Sequence, residues 1–416
     1  MRSREAIIVS LDPGRAAGRP ERHHNRAMSR PRALVLLSLL LAPGSLEAAE
    51  PIRLGGLRLV LGGEMSGSAA ETDRGFFNDS GYERNPLRLF RLSLTAEVRA
   101  GDHVAALTEV RSENLNTPRA YALYLRVRPW ADEELDIQAG LIPPVFGSYG
   151  RRRYGADNPL IGEPLAYQYL TTLRADAFPA SEDELLYWRG RGWLVDYPIG
   201  ATAPAPGLPL VSSVEWDAGV QVRWAGERFE AAAALTQGTL SRPRVEDDNE
   251  GKQFSTRVAV RPLVGLVVGA SAATGDYVAD QAVDALAPPV EGRQRALGLD
   301  VEYSAGYALV RAEAVWSRWD APTLRDDLEA DGYMVEARYK LLPGFYVAAR
   351  FDHVGFGDIA GSQGRAAWDA PTTRFEGGIG FSLRRNLLLK ASWQRNERAD
   401  GFRRQDFVAG QVLWWY

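Results

Sequence analysis

The chain has 416 residues, enough for one large barrel or a few ordinary domains. It has no cysteine, which excludes a disulfide framework and thiol chemistry. Its mean hydropathy is −0.24 and its body lacks a long apolar run, so membrane helices are not expected. A formal net charge of −4 gives nucleic acid no basic surface to grip.

The N-terminus reads as a targeting segment. Residues 1–27 form an Arg-rich extension without pattern, and Met28 is the expected true start. Residues 28–49 fit a secretory signal peptide: Arg30 and Arg32 lead, then Ala33–Ala42 gives an apolar stretch too short to cross a bilayer. Removing residues 1–49 leaves 41 basic and 49 acidic residues, net −8. Residues 50–416 are expected to be the folded body.

That body alternates. In Leu87–Arg99, Phe90, Leu92, Leu94, Ala96 and Val98 share one face, while Arg91, Ser93, Thr95, Glu97 and Arg99 share the other. Side chains alternate across a strand, so such a segment is apolar on one side and charged on the other. Sixteen segments of this kind are expected. Five precede residue 143: 57–66, 87–99, 103–113, 119–128 and 134–142. Eleven follow residue 212: 214–224, 228–237, 253–262, 264–275, 294–303, 307–318, 332–341, 345–354, 374–384, 387–395 and 405–416. Short connections such as Ala100-Gly101-Asp102 and Leu342-Pro343-Gly344 follow even segments; long polar ones follow most odd segments. Short periplasmic turns alternating with long outer loops are the pattern of an outer-membrane barrel. The expected fold class is therefore all-β: a transmembrane antiparallel β-barrel of about 16 strands. The 11 tryptophans and 16 tyrosines suit its interfacial girdles.

Pro143–Ser212 is 70 residues long and has no clear strand pattern. A connection of that length is functional or disordered. We read it as the third outer loop, folded into the lumen as a constriction. Its charged residues Arg151, Arg152, Arg153, Asp157, Glu163 and Arg174 are the candidate constriction groups. An arginine fork suits carboxylate or phosphate. By strand parity the candidate pore-lining wall holds Arg91, Arg126, Arg223, Arg257, Arg311, Glu313, Glu336, Arg338, Arg350, Arg374 and Glu376. A small basic excess on that wall predicts a weak anion preference.

The strand ending Ala139-Gly140-Leu141-Ile142-Pro143-Pro144-Val145-Phe146-Gly147 and the return segment Trp216-Asp217-Ala218-Gly219-Val220-Gln221-Val222 resemble Gram-negative outer-membrane porins. Within that group they are most similar to the phosphate-selective porins O and P. The resemblance implies a channel in the cell outer membrane with an inserted third loop. It implies passive diffusion of small hydrophilic solutes, with anions such as phosphate among them. Outer-membrane lipid, lipopolysaccharide and a homotrimer are the implied partners.

A pore needs no catalytic residue, cofactor or metal, and none is assigned. Beyond the signal only His103 and His353 remain as histidines, and no Gly-x-Ser-x-Gly elbow occurs, so no enzyme is expected. The alternative is a barrel that sheathes an exported polymer or an electron-transfer cytochrome, or a structural barrel without an open pore. No Cys-x-x-Cys-His exists, so the chain attaches no c-type haem itself.

Overall fold

The computed structural model describes residues 51–70, 86–130, 133–150, 153–212, 216–246, 248–283, 285–286, 292–399 and 405–416. The extension and the signal segment lie outside the described residues.

Sixteen long strands form the wall. They are β1 (Leu57–Ala70), β2 (Phe90–Ala100), β3 (Val104–Glu113), β4 (Arg119–Val127) and β5 (Leu135–Ile142) before the long loop. After it come β6 (Asp217–Ala225), β7 (Phe229–Thr236), β8 (Gln253–Leu263), β9 (Leu266–Asp276), β10 (Arg293–Ala305) and β11 (Ala308–Trp319). The last five are β12 (Leu328–Leu342), β13 (Phe345–Phe356), β14 (Thr372–Arg384), β15 (Leu387–Arg398) and β16 (Gln405–Trp415). Each pairs antiparallel with its neighbour in sequence. β1 also pairs with β16, from Glu64 opposite Trp415 to Ala70 opposite Ala409, which closes the barrel. Closure joins the first and last strands, so the ladder bonds of the wall are made within the barrel, as the bilayer requires.

A short extra strand, Ile52–Leu54, pairs with the start of β1. It occupies the edge of β1 below the point where β16 ends. The Gly55-Gly56 turn makes this hairpin possible, with Gly55 at φ +62°.

The alternation explains the two surfaces. Leu94, Leu123, Val220, Val258, Leu299 and Val335 point out and stay exposed, as a lipid-facing wall requires. Trp224, Tyr303, Tyr339 and Phe381 ring the short-turn end, and Phe254, Trp316, Tyr333 and Phe375 ring the other. The charged partners of these residues point inward.

The sixteen expected segments match the sixteen strands in order, with shifted ends. β1 runs on to Ala70 and β12 starts at Leu328, because both extend into the outer rim beyond the apolar band. The second segment begins at Phe90, since Pro86–Arg88 forms a 3-10 turn.

Candidate functional site: the loop in the lumen

The loop enters through a corner that only glycine permits at two points. Gly140 has φ +126°, and a Cβ there would lie 2.2 Å from the carbonyl oxygen of Leu123. Gly147 has φ +64°, and a Cβ there would crowd the Tyr167 hydroxyl and the Glu313 carboxylate. Pro143 and Pro144 lie between them and cannot donate to a ladder, so β5 stops and the chain turns inward.

From there the loop touches wall after wall. Phe146 packs over Gly298 of β10, where a Cβ would sit 2.8 Å from the ring. Gly147 N donates to Ser271 Oγ of β9 at 3.1 Å. Ser148 N and Tyr149 N donate to Glu313 Oε2 of β11 at 2.7 and 3.0 Å, and the Tyr167 hydroxyl donates to the same carboxylate. The chain then crosses the lumen. Tyr154 donates its hydroxyl to Glu109 of β3 at 2.6 Å, and Gly155 N donates to Glu64 of β1 at 3.0 Å. It returns along β15, β14 and β13. Lys390 Nζ donates to the carbonyls of Gly155, Asn158 and Leu160. Glu376 accepts from the amides of Ile161 and Gly162, and Asp352 accepts from Leu165 N at 2.8 Å.

The second half of the loop builds an apolar mass against the outer half of the wall. Leu165, Tyr169, Phe178, Leu185, Val195, Tyr197 and Leu210 pack with Trp319, Leu328, Val354, Phe356 and Trp368. Asp369, in the outer connection before β14, pins it. Its carboxylate accepts from Gly190 N at 2.7 Å, Thr172 N at 2.8 Å and the Tyr169 hydroxyl at 3.0 Å. Burial pushes this carboxyl above its ordinary range, against the pull of those donors.

The expected constriction groups fall into four sets. Arg151 and Arg152 lie outside the described residues. Arg153 and Glu163 form a bidentate pair at 2.8 and 2.9 Å, both buried. Asp157 is exposed, and its carbonyl oxygen accepts from Arg311 of β11. Arg174 does not face the lumen space: it is 1% exposed inside the loop, donating to Asp176 and to the Val195 carbonyl.

The expected wall residues point inward, but many meet the loop or each other. Arg350 binds Glu336, Glu376 and the Gly162 carbonyl, and it is fully buried. Arg374 donates to Asn396, Gln168 and the Glu163 carbonyl. Glu313 and Glu376 lie beneath the loop, 4% and 0% exposed. Arg257 bridges Glu230 and Asp300, and Arg311 bridges Glu302 and Glu336. Arg91 pairs with Glu113, Arg126 with Glu97, and Arg223 with Glu230. Arg338 stacks near the Tyr346 ring at 5.8 Å.

Charge is layered along the axis. The level of the loop carries both signs: Glu64, Glu109, Glu313, Glu336, Asp352 and Glu376 sit there with Arg111, Arg311, Arg350, Arg374 and Lys390, and most of the acids accept from loop amides or arginines. Nearer the short turns the wall's strands carry Arg58, Arg99, Arg126, Arg223, Arg261, Arg338 and Lys340. Its strand acids at that level, among the described residues, are Glu97, Asp136, Glu230 and Glu302. Sequence reasoning missed Glu64, Arg58 and Asp369. Glu64 and Arg58 were open to strand parity; nothing in the sequence marks Asp369.

A closed sixteen-strand barrel with an inserted third loop decides the comparison. The fold is that of the outer-membrane porins. OmpT of Vibrio cholerae superposes with a TM-score of 0.54 at 13% identity, over 88% of this chain and 100% of that one. The Salmonella typhi OmpF complex with daunomycin gives 0.55 at 13% identity, covering 88% and 100%. The anion-selective porin from Comamonas acidovorans gives 0.55 at 11% identity, covering 86% and 100%. No family model matches the chain, and no curated protein matches it. The wider resemblance to porins therefore agrees with solved structures, and the narrower one to the phosphate-selective porins O and P finds no support among them. A barrel of this size with an apolar outer wall belongs in a bacterial outer membrane.

Proposed function

We propose that the barrel is a passive diffusion channel for small hydrophilic solutes, with a weak preference for anions, phosphate among them. The observation that carries the anion preference is the axial layering. Loop amides and arginines occupy most acids at the level of the loop, whereas the strands nearer the short turns carry seven basic residues against four acids. A water-filled passage sorts ions by the field of such groups. The passage narrows where Arg153, Asp157 and Glu163 cross the lumen. Barrels of sixteen strands leave room for an aqueous channel around an inserted segment. Lipid and lipopolysaccharide surround the wall. OmpT has been solved in a trimer form, and we extend a homotrimer to this chain on that likeness of fold.

The experiment is swelling of liposomes that contain the refolded protein. Small sugars and amino acids are expected to enter, more slowly as size increases. Absence of swelling with inserted protein would refute an open channel. One observation favours the second reading, a structural barrel without an open pore: the apolar mass that joins the loop to Trp319, Phe356 and Trp368. A sheath around an exported polymer or a cytochrome has no such support, because the loop occupies the space a partner needs.

A further inference from the structure

At the periplasmic mouth four arginines line up across five adjacent strands, with Ala105 the only uncharged member of the row. Register places Arg53 opposite Arg58 and Arg58 opposite Arg99; Ala105 of β3 follows opposite Arg99, and Arg126 of β4 lies opposite Ala105. All four lie on the inward face. Neighbouring strands are about 4.8 Å apart, so the guanidinium groups of Arg53, Arg58 and Arg99 start from closely spaced backbones, and that of Arg126 from two strands away. Like charges directly opposite disfavour a sheet, and nothing in the barrel's closure requires them here.

Their neutralisation is incomplete. Glu97 serves both Arg99 and Arg126, at 2.7 and 3.1 Å. Asp136 serves Arg128 at 2.9 Å. Arg53 and Arg58 are exposed and have no hydrogen-bond or ion-pair partner among the described residues. The row borders a hollow of about 500 Å³ shared with Asp102 and His103. Its rim is open: a Cβ on Gly55, Gly56 or Gly101 would meet nothing within 4 Å.

We infer that this hollow binds multivalent oxyanions of the phosphate or polycarboxylate class as they reach the periplasmic mouth. The inference deepens the anion preference proposed above and rests on that reading. An anion with two charged oxygen groups can bridge two neighbouring guanidiniums, each of which presents a planar fork of donors. Parity turns these side chains away from lipid, so the ligand is a solute of the lumen and not a lipid headgroup. The short strand Ile52–Leu54 gains a purpose in this way: it brings Arg53 to the row.

The test is isothermal titration calorimetry of the full chain in detergent with sodium pyrophosphate, at low and high salt. Saturable binding near one site per chain is expected, weaker at high salt because exposed charges are screened. Arg58→Gln combined with Arg99→Gln should weaken it at least tenfold, and Arg53→Gln alone should weaken it measurably. Arg318→Gln, on the outer face of the opposite rim, should bind as the parent does. Heat-modifiable migration on gels confirms that each variant is folded. The short strand lies outside the closed ring of sixteen, so Arg53→Gln does not depend on barrel repair. No saturable heat, or equal binding by the parent and the double variant, would overturn the site. Binding does not need conduction: a protein that binds pyrophosphate but passes no current would refute the channel and leave the site standing.

Discussion

Glu313 is the strongest single anchor of the inserted loop, and Glu313→Ala should release its first turn. The carboxylate accepts from Ser148 N, Ser148 Oγ and Tyr149 N at 2.7, 3.0 and 3.0 Å, and from the Tyr167 hydroxyl. Hydrogen bonds to a charged group each contribute about 1.5–3 kcal/mol net, and water entering the lumen would replace part of that. A loss of about 3 kcal/mol is a conservative figure for the set. It would raise the fraction of molecules with this turn undocked about a hundredfold. The barrel itself should hold, since Glu313 contributes no ladder bond that alanine lacks. Single-channel recording should then show frequent excursions to a larger conductance, and proteolysis should cut the loop faster. Glu313→Gln keeps one carbonyl oxygen and should behave in between. Parent-like conductance, noise and proteolysis in Glu313→Ala would refute the anchoring role.

Three other outcomes follow from the same geometry. Gly162→Leu should block docking of the return segment, because even a Cβ there would lie 2.4 Å from Glu376 Oε2 and 2.8 Å from Gln394 Nε2; conductance of the variant against the parent checks it. Asp369→Ala should leave the amides of Thr172 and Gly190 without their acceptor, and hydrogen exchange at those two amides should quicken while the strands stay protected. Val220→Arg puts a charge on the lipid face near the middle of β6, where Val220 is 49% exposed. It should destabilise the barrel by about 2–4 kcal/mol, read from folding equilibria in lipid vesicles.

The strands were legible because the membrane imposes one rule on all of them. Each residue of β10 from Leu297 to Tyr303 faces either lipid or lumen, so period two is unbroken there. Ends were less legible. Above the apolar band that rule inverts: Leu328 and Ala330 turn inward into the apolar mass of the loop while Glu329 stays exposed, so the apolar face changes side. The loop was legible from its length and from the Pro143-Pro144 corner.

What its charges do was not legible. Parity turns Arg350 and Glu376 inward, but it does not say whether water or the loop meets them; in the structure Gly162 does. Arg174 was read as a constriction group from its charge alone, and the fold of the loop around Val195 buries it. Arg53 was readable in principle: two glycines between Leu54 and Leu57 announce a hairpin, and a hairpin sets Arg53 beside Arg58.

The central claim is an open channel whose basic short-turn end favours anions. Reversal potential across a KCl gradient, measured with the refolded protein in a planar bilayer, tests it most directly. Steady conductance with a potential displaced towards that of chloride is the expected result. A potential displaced towards that of potassium, or a silent bilayer with protein shown to be inserted, would contradict it.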